Sequence, residues 1–191
     1  MTKGRLEAFT DAIIAIVMTI LVLELHQPQA DTWAALFDLR QKILIYIMSF
    51  VILAIYWHNH HHMFQLVKKV NGRILWANSF FIFVLTLYPF ATAWVGDHLA
   101  SQAPELTYGT VILVGNVVYL FLMKELVRAN GKESSLGHLF QRYIKSYLSI
   151  GLNVLALLLG YFFHPYFVLV INVIILVLWV IPDRRVEQAT S

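Results

Sequence analysis

The chain has 191 residues, 59% of them apolar and 13% charged, with a mean hydropathy of +0.69, a balance that excludes an ordinary soluble domain and indicates an integral membrane protein. Spans of about 20 residues cross a hydrocarbon core of ~30 Å, so this length holds several of them and almost nothing else. The lack of cysteine removes disulfides, cysteine metal sites and thiol nucleophiles, and the net charge of +3 is accounted for by membrane topology rather than by a nucleic-acid partner.

Six apolar blocks predict an all-α protein with six transmembrane helices, at residues 6–25, 43–62, 74–96, 108–127, 146–163 and 165–182, forming a single membrane domain over 1–191. A β-barrel is excluded because the blocks are continuous rather than alternating apolar and polar. The first block follows Lys3 and Arg5 as a signal peptide would, but Asp11 and Glu24 interrupt it, so it is read as a retained helix. Blocks five and six are parted only by His164 and Pro165 and are read as two helices. In the six-span arrangement Lys3, Arg5, Lys68, Lys69, Arg73, Lys124, Arg128, Lys132, Arg142, Lys145, Arg184 and Arg185 fall on one side, and only Arg40 and Lys42 on the other. The basic side is cytoplasmic by the positive-inside rule, which puts both termini there.

Within the first helix, 100° per residue places Ala12, Ile16, Thr19, Ile20 and Leu23 on one arc of about 100°, with Glu7, Thr10 and Asp11 pointing away from it. A carboxylate inside a span is costly against lipid, so Asp11 is expected to face other helices and find donors there. Donors lie at the same depth in "YWHNHHHMF" at the end of the second block, and Asn78 sits one turn into the third. His58 and His62, at i and i+4, have the spacing of a two-imidazole metal unit, but no cysteine or third carboxylate accompanies them. The cluster is read first as interfacial histidines packed beside Trp57, with a metal site or a pH-sensing element as the other readings. Glu24 is expected at the outer interface, Asp97, His98 and Glu105 in outer loops, and Trp33, Trp94 and Trp179 in an interfacial aromatic belt.

"RLEAFTD" resembles the R-x-x-x-F-S-D signature opening the first helix of the transmembrane-protein-175 family of potassium-permeable channels, with Arg5, Phe9 and Asp11 matching and Thr10 at the position usually held by serine. "WHNHHHMF" resembles that family's W-x-N-H-H-x-x-F run through Trp57, Asn59, His60, His61 and Phe64, and Asn78 and Pro89 resemble its third-helix pattern. The resemblance covers about residues 5 to 185 and implies a six-helix subunit whose first helix lines a central pore. It further implies no pore loop and no T-V-G-Y-G filter; "TYGT" at 107–110 lacks that pattern. A single signature resembles the prokaryotic members, which implies a homotetramer in the cell membrane with K⁺ as the permeant ion, lipid as its surroundings and no cofactor.

Carried onto this chain, the family's isoleucine constriction falls at Ile16, eleven residues after Arg5, with Thr19 as a polar layer and Ile20 and Leu23 as further apolar layers. A ring of branched apolar side chains holds water poorly and can gate by dewetting. Selectivity for K⁺ over Na⁺ is then expected from partial dehydration at Ile16 and a hydroxyl ring at Thr19. The signature residues Arg5, Phe9, Thr10, Asp11, Trp57, Asn59, His60, His61 and Asn78 are expected to pack the pore helix against helices two and three, with the pairing among them open and Arg5 in line with the pore stripe. A secondary transporter is the alternative, and would require discontinuous helices and paired repeats. A membrane enzyme would rest on the histidines alone.

Overall fold

The computed structural model describes residues 2–141 and 144–180. Among them every regular element is helical: α1 (Lys3–Leu23), α2 (Trp33–Asp38), α3 (Arg40–Gln65), α4 (Gly72–Leu85), α5 (Tyr88–Asp97), α6 (Gln102–Asn130), α7 (Ser135–Gln141), α8 (Ile144–Phe162) and α9 (Tyr166–Val180). Five stretches are long and apolar enough to span a bilayer: α1, α3, α4 continued by α5, α6 and α8. The chain is a multi-pass membrane protein. α9 contains 15 residues, about 22 Å at 1.5 Å per residue, and the last two positions of the expected block 165–182 lie outside the described residues.

The expected helix at 74–96 is not continuous. Proline has no N–H and its ring opposes the carbonyl four residues earlier, here Leu85. The backbone therefore turns at Thr86 and Leu87 and restarts with Pro89 in the first turn of α5. The block expected at 108–127 begins six residues earlier, because Pro104 falls in the first turn of α6, where a missing N–H costs nothing. Glu105 is consequently not a loop residue: it is fully buried in α6, and its Oε1 accepts the Ala100 N–H at 3.4 Å. At the far end Gly131, at φ 97°, stops α6 in a conformation that favours glycine.

Polar ties gather the helix ends into two layers. At one end Lys3 Nζ donates to the Gln65 carbonyl at 3.3 Å. There Asn130 Oδ1 accepts the N–H groups of Lys68 and Lys69 at 2.8 Å each, while its amide donates to the Lys69 carbonyl at 3.1 Å. The starts of α1 and α4 and the ends of α3 and α6 therefore share one side with Lys3, Arg5, Lys68, Lys69, Arg73, Lys124, Arg128, Lys132 and Lys145. At the other end Lys42 pairs with Asp97, and Gln102 Nε2 donates to the Tyr161 carbonyl at 3.0 Å. Arg40 and Lys42 are the described basic residues there; Arg142, Arg184 and Arg185 lie outside the described residues.

Lipid supplies little hydrophobic drive between helices, so close approach over small residues must hold them. Val168 of α9 fits this: a β-carbon added at Gly109 of α6 would lie 2.7 Å from its Cγ1, and one added at Gly160 of α8 would lie 2.6 Å from its Cγ2. Trp179, expected in the aromatic belt, donates its indole N–H to Ser149 Oγ at 2.8 Å and ties α9 to α8. Trp33 is 87% exposed. Between α3, α6, α8 and α9 lies a small cavity with mostly apolar walls, to which Tyr56, Asn59, Asn116, Ser146 and Asn172 also contribute.

Candidate pore helix and its supporting network

α1 has two faces of opposite fate. Leu6, Thr10, Ile14, Val17 and Leu21 are buried against α3, α4 and α5. Ala12, Ile16, Thr19, Ile20 and Leu23 are all exposed, Ile16 by 52% and Leu23 by 74%. The stripe is thus not core packing within the subunit. A helix apolar on its exposed face must meet lipid or protein there. Thr19 adds a directional feature, for its hydroxyl donates to the Ile16 carbonyl at 2.7 Å. With the proton engaged inside the helix, the oxygen lone pairs are what Thr19 turns outward.

Behind the stripe, Thr10, Asn78 and His60 form one buried chain. Asn78 Nδ2 donates to Thr10 Oγ1 at 2.8 Å, and Thr10 passes its own proton to the Leu6 carbonyl at 2.9 Å. Asn78 Oδ1 lies 2.9 Å from His60 Nε2, so the ring nitrogen is the donor and the Nε2–H form is selected. All three side chains are sealed from solvent. His60 stacks against Phe64 at 4.2 Å and Phe81 at 6.0 Å between ring centroids, which fixes the plane of its ring. One asparagine therefore couples α1, α3 and α4.

A second, outer chain runs beside it. Trp57 Nε1 donates to Asp11 Oδ1 at 3.1 Å, and the indole stacks on His61 at 6.0 Å. His61 Nε2 lies 3.0 Å from Gln65 Nε2. His61 Nδ1 lies 3.3 Å from Glu7 Oε1, a charge contact without hydrogen-bond geometry. The two carboxylates of the first turns of α1 thus face α3, Asp11 as the acceptor of the Trp57 indole and Glu7 beside His61, rather than the exposed stripe. This answers the electrostatic cost of placing Asp11 in a span.

The structure does not bring all the signature residues together. Asn59 turns the other way, donating to the Ile55 carbonyl at 2.8 Å and lining the internal cavity; a helix rotates by about 100° per residue, so neighbours of His60 must diverge. Phe9 is 50% exposed, and Arg5 is exposed with no hydrogen bond or ion pair among the described residues. Glu7 and Gln65 belong to the network although the motif pattern did not single them out. The available signal was spacing: Glu7 precedes Asp11, and Gln65 follows His61, by one helical turn of four residues. His58, the other half of the histidine pair, lies with Nδ1 3.2 Å from the Ala54 carbonyl of its own helix. Among the described residues no three histidine, aspartate or glutamate side chains converge as a metal site.

A family model described as endosomal/lysosomal potassium channel TMEM175 matches residues 5–89, the segment that contains both chains of the network. A potassium channel from Chryseobacterium sp. (strain P1-3) is 43% identical over 189 residues, covering 99% of this chain and 98% of that protein. A potassium channel from Streptomyces collinus is 31% identical over 146 residues, covering 72% of this chain and 68% of its own. The crystal structure of a lysosomal potassium-selective channel TMEM175 homolog from Chamaesiphon minutus shares the fold, with a TM-score of 0.82 over 93% of this chain and 96% of that one at 23% identity.

Proposed function

The chain belongs to the TMEM175 family, and from that premise we propose that it is a potassium-selective cation channel whose pore is lined by α1, not an enzyme and without a cofactor. Four copies of a single six-helix domain, 1–191, with both termini cytoplasmic, surround the axis in the cell membrane, and α9 supplies the sixth span. The observation that carries the reading is the contrast between the two faces of α1. One is locked to α3 and α4 by the Thr10–Asn78–His60 chain, while the other leaves Ile16, Thr19, Ile20 and Leu23 exposed.

Ile16 forms the constriction and hydrophobic gate. A narrow ring of branched side chains excludes water, so an ion passes only by shedding part of its hydration shell or when the ring widens. K⁺ holds water less tightly than Na⁺ and loses less there. Thr19, one layer further, presents oxygen lone pairs that replace some of the lost water. No carbonyl filter is required, and the helical setting of residues 107–110 inside α6 supports its absence at "TYGT". Arg5, Phe9, Thr10, Asp11, Trp57, His60, His61 and Asn78 hold the pore helix or flank it, and Asn59 braces α3 from behind. Glu24, half-exposed at the C-terminal end of α1, supplies a carboxylate ring that concentrates cations at the outer mouth.

The break between α4 and α5 is the one feature that a secondary transporter would share. In transporters, unwound backbone lines the substrate cavity. Here Thr86 and Leu87 are exposed on the outside of the bundle and do not line the internal cavity, which favours the channel.

The cysteine-free chain permits a direct test. Single cysteines at Ile16, Thr19, Ile20 or Leu23, treated with a charged methanethiosulfonate reagent in a planar bilayer, are expected to lose current, whereas cysteines at Ile14, Val17 or Leu21 keep it. Undiminished current at stripe positions that mass spectrometry finds fully modified would remove α1 from the pore.

A further inference from the structure

We propose that the groove between α4 and α6 at the basic end of the bundle is a binding site for an anionic phospholipid, with Arg73 holding the phosphate and Trp76, Phe80 and Phe121 receiving the acyl chains. The groove is lined by Asn71, Arg73, Trp76 and Phe80 from α4 and by Phe121 and Glu125 from α6, and its volume of about 990 Å³ admits a headgroup with the upper part of a chain. Trp76 is 79% exposed, Phe80 53% and Phe121 51%. Trp76 and Phe80 lie about one and two turns deeper than Arg73 along α4, and Phe121 joins them from α6, so the site is cationic at the interface and aromatic toward the hydrocarbon.

Charge selects the occupant. Arg73 makes no hydrogen bond or ion pair among the described residues. Lys68 and Lys69, exposed on the loop that leads into α4, have their backbone pinned by Asn130. Glu125 is the one carboxylate lining the groove, and Arg128 lies 3.8 Å from it. A surplus of positive charge on the membrane's cytoplasmic edge attracts anionic headgroups. A zwitterionic lipid would leave that surplus uncompensated, and free phosphate would leave three aromatic walls uncovered. A planar guanidinium binds phosphate oxygens in pairs, which an ammonium cannot do.

Native mass spectrometry of the intact assembly, titrated with phosphatidylglycerol or phosphatidylcholine of identical chains, tests this. The wild-type protein is expected to prefer phosphatidylglycerol. Arg73→Gln is expected to weaken that lipid about fivefold, the ~1 kcal/mol of one cation at an anionic surface, and to weaken phosphatidylcholine less, because both lipids offer a phosphate but only phosphatidylglycerol carries a net negative charge. Trp76→Ala weakens both lipids. Lys132→Gln, an exposed basic residue of the same end outside the groove, leaves both unchanged. Equal losses from Arg73→Gln and Lys132→Gln would mean diffuse surface attraction and overturn the site. So would a cysteine at Trp76 that is labelled in dissociated subunits but protected in the delipidated assembly, because a second copy of the chain would then fill the groove.

Discussion

Ile16→Asn is expected to lower the K⁺ over Na⁺ permeability ratio about fivefold while K⁺ current is maintained or rises. Ile16 is 52% exposed on the unpartnered face of α1, and in the proposed tetramer its copies face one another. An apolar ring offers an ion nothing in exchange for water, and the cost of that exchange is larger for the smaller, more tightly hydrated Na⁺. Asparagine offers an amide oxygen and tolerates water, which erases the difference. A contribution of ~1 kcal/mol to discrimination corresponds to about a factor of five. Thr19→Ala is expected to move the ratio in the same direction by less, because it removes lone pairs from a layer that an ion reaches still partly hydrated. Bi-ionic reversal potentials of the two variants check this. An unchanged ratio in both would detach selectivity from the stripe.

Asn78→Ala is expected to destabilise the folded protein by about 2 kcal/mol, near the upper end for a hydrogen bond between membrane helices. The penalty is unequal on its two sides. Thr10 keeps its bond to the Leu6 carbonyl, so losing the Asn78 amide costs it little. His60 loses the acceptor for its Nε2–H in a fully buried site packed by Phe64 and Phe81, and no water replaces it. Asp11→Ala is expected to cost less, because Trp57 is 38% exposed and its indole N–H can turn to water or headgroups. Thermal unfolding in detergent, followed by assembly size, should rank Asn78→Ala as more damaging than Asp11→Ala, with the permeability ratio of the surviving channels unchanged. A shifted ratio with normal stability would instead place Asn78 or Asp11 at the permeation path.

The helices were legible where hydropathy alone decides, as in α1 and α3, and the split at His164 and Pro165 follows from the proline. The turn at Thr86 and Leu87 was missed because apolar character continues straight through it; only Pro89 betrays it, and proline at the start of a restarted helix is easily read as proline within a continuous one. Glu105 was misplaced because Pro104 beside a charge looks like loop punctuation. The stripe was visible from 100° periodicity, since it depends only on α1. Which donors meet which acceptors was not, because Thr10 to Asn78 and Asp11 to Trp57 join positions 68 and 46 residues apart, and helical spacing says nothing about contacts between helices. Asn59 illustrates the same limit: it adjoins His60 in the motif but points to a cavity on the other side of α3.

The central claim, that this chain forms a K⁺-selective pore, is tested most directly by reconstituting the purified protein in a planar bilayer with K⁺ on one side and Na⁺ on the other. A macroscopic current that reverses toward the K⁺ equilibrium potential, without any second gradient, is the predicted result. Solute or ion uptake into liposomes that requires a coupled gradient, with no current under bi-ionic conditions, would contradict it and assign the fold to a transporter.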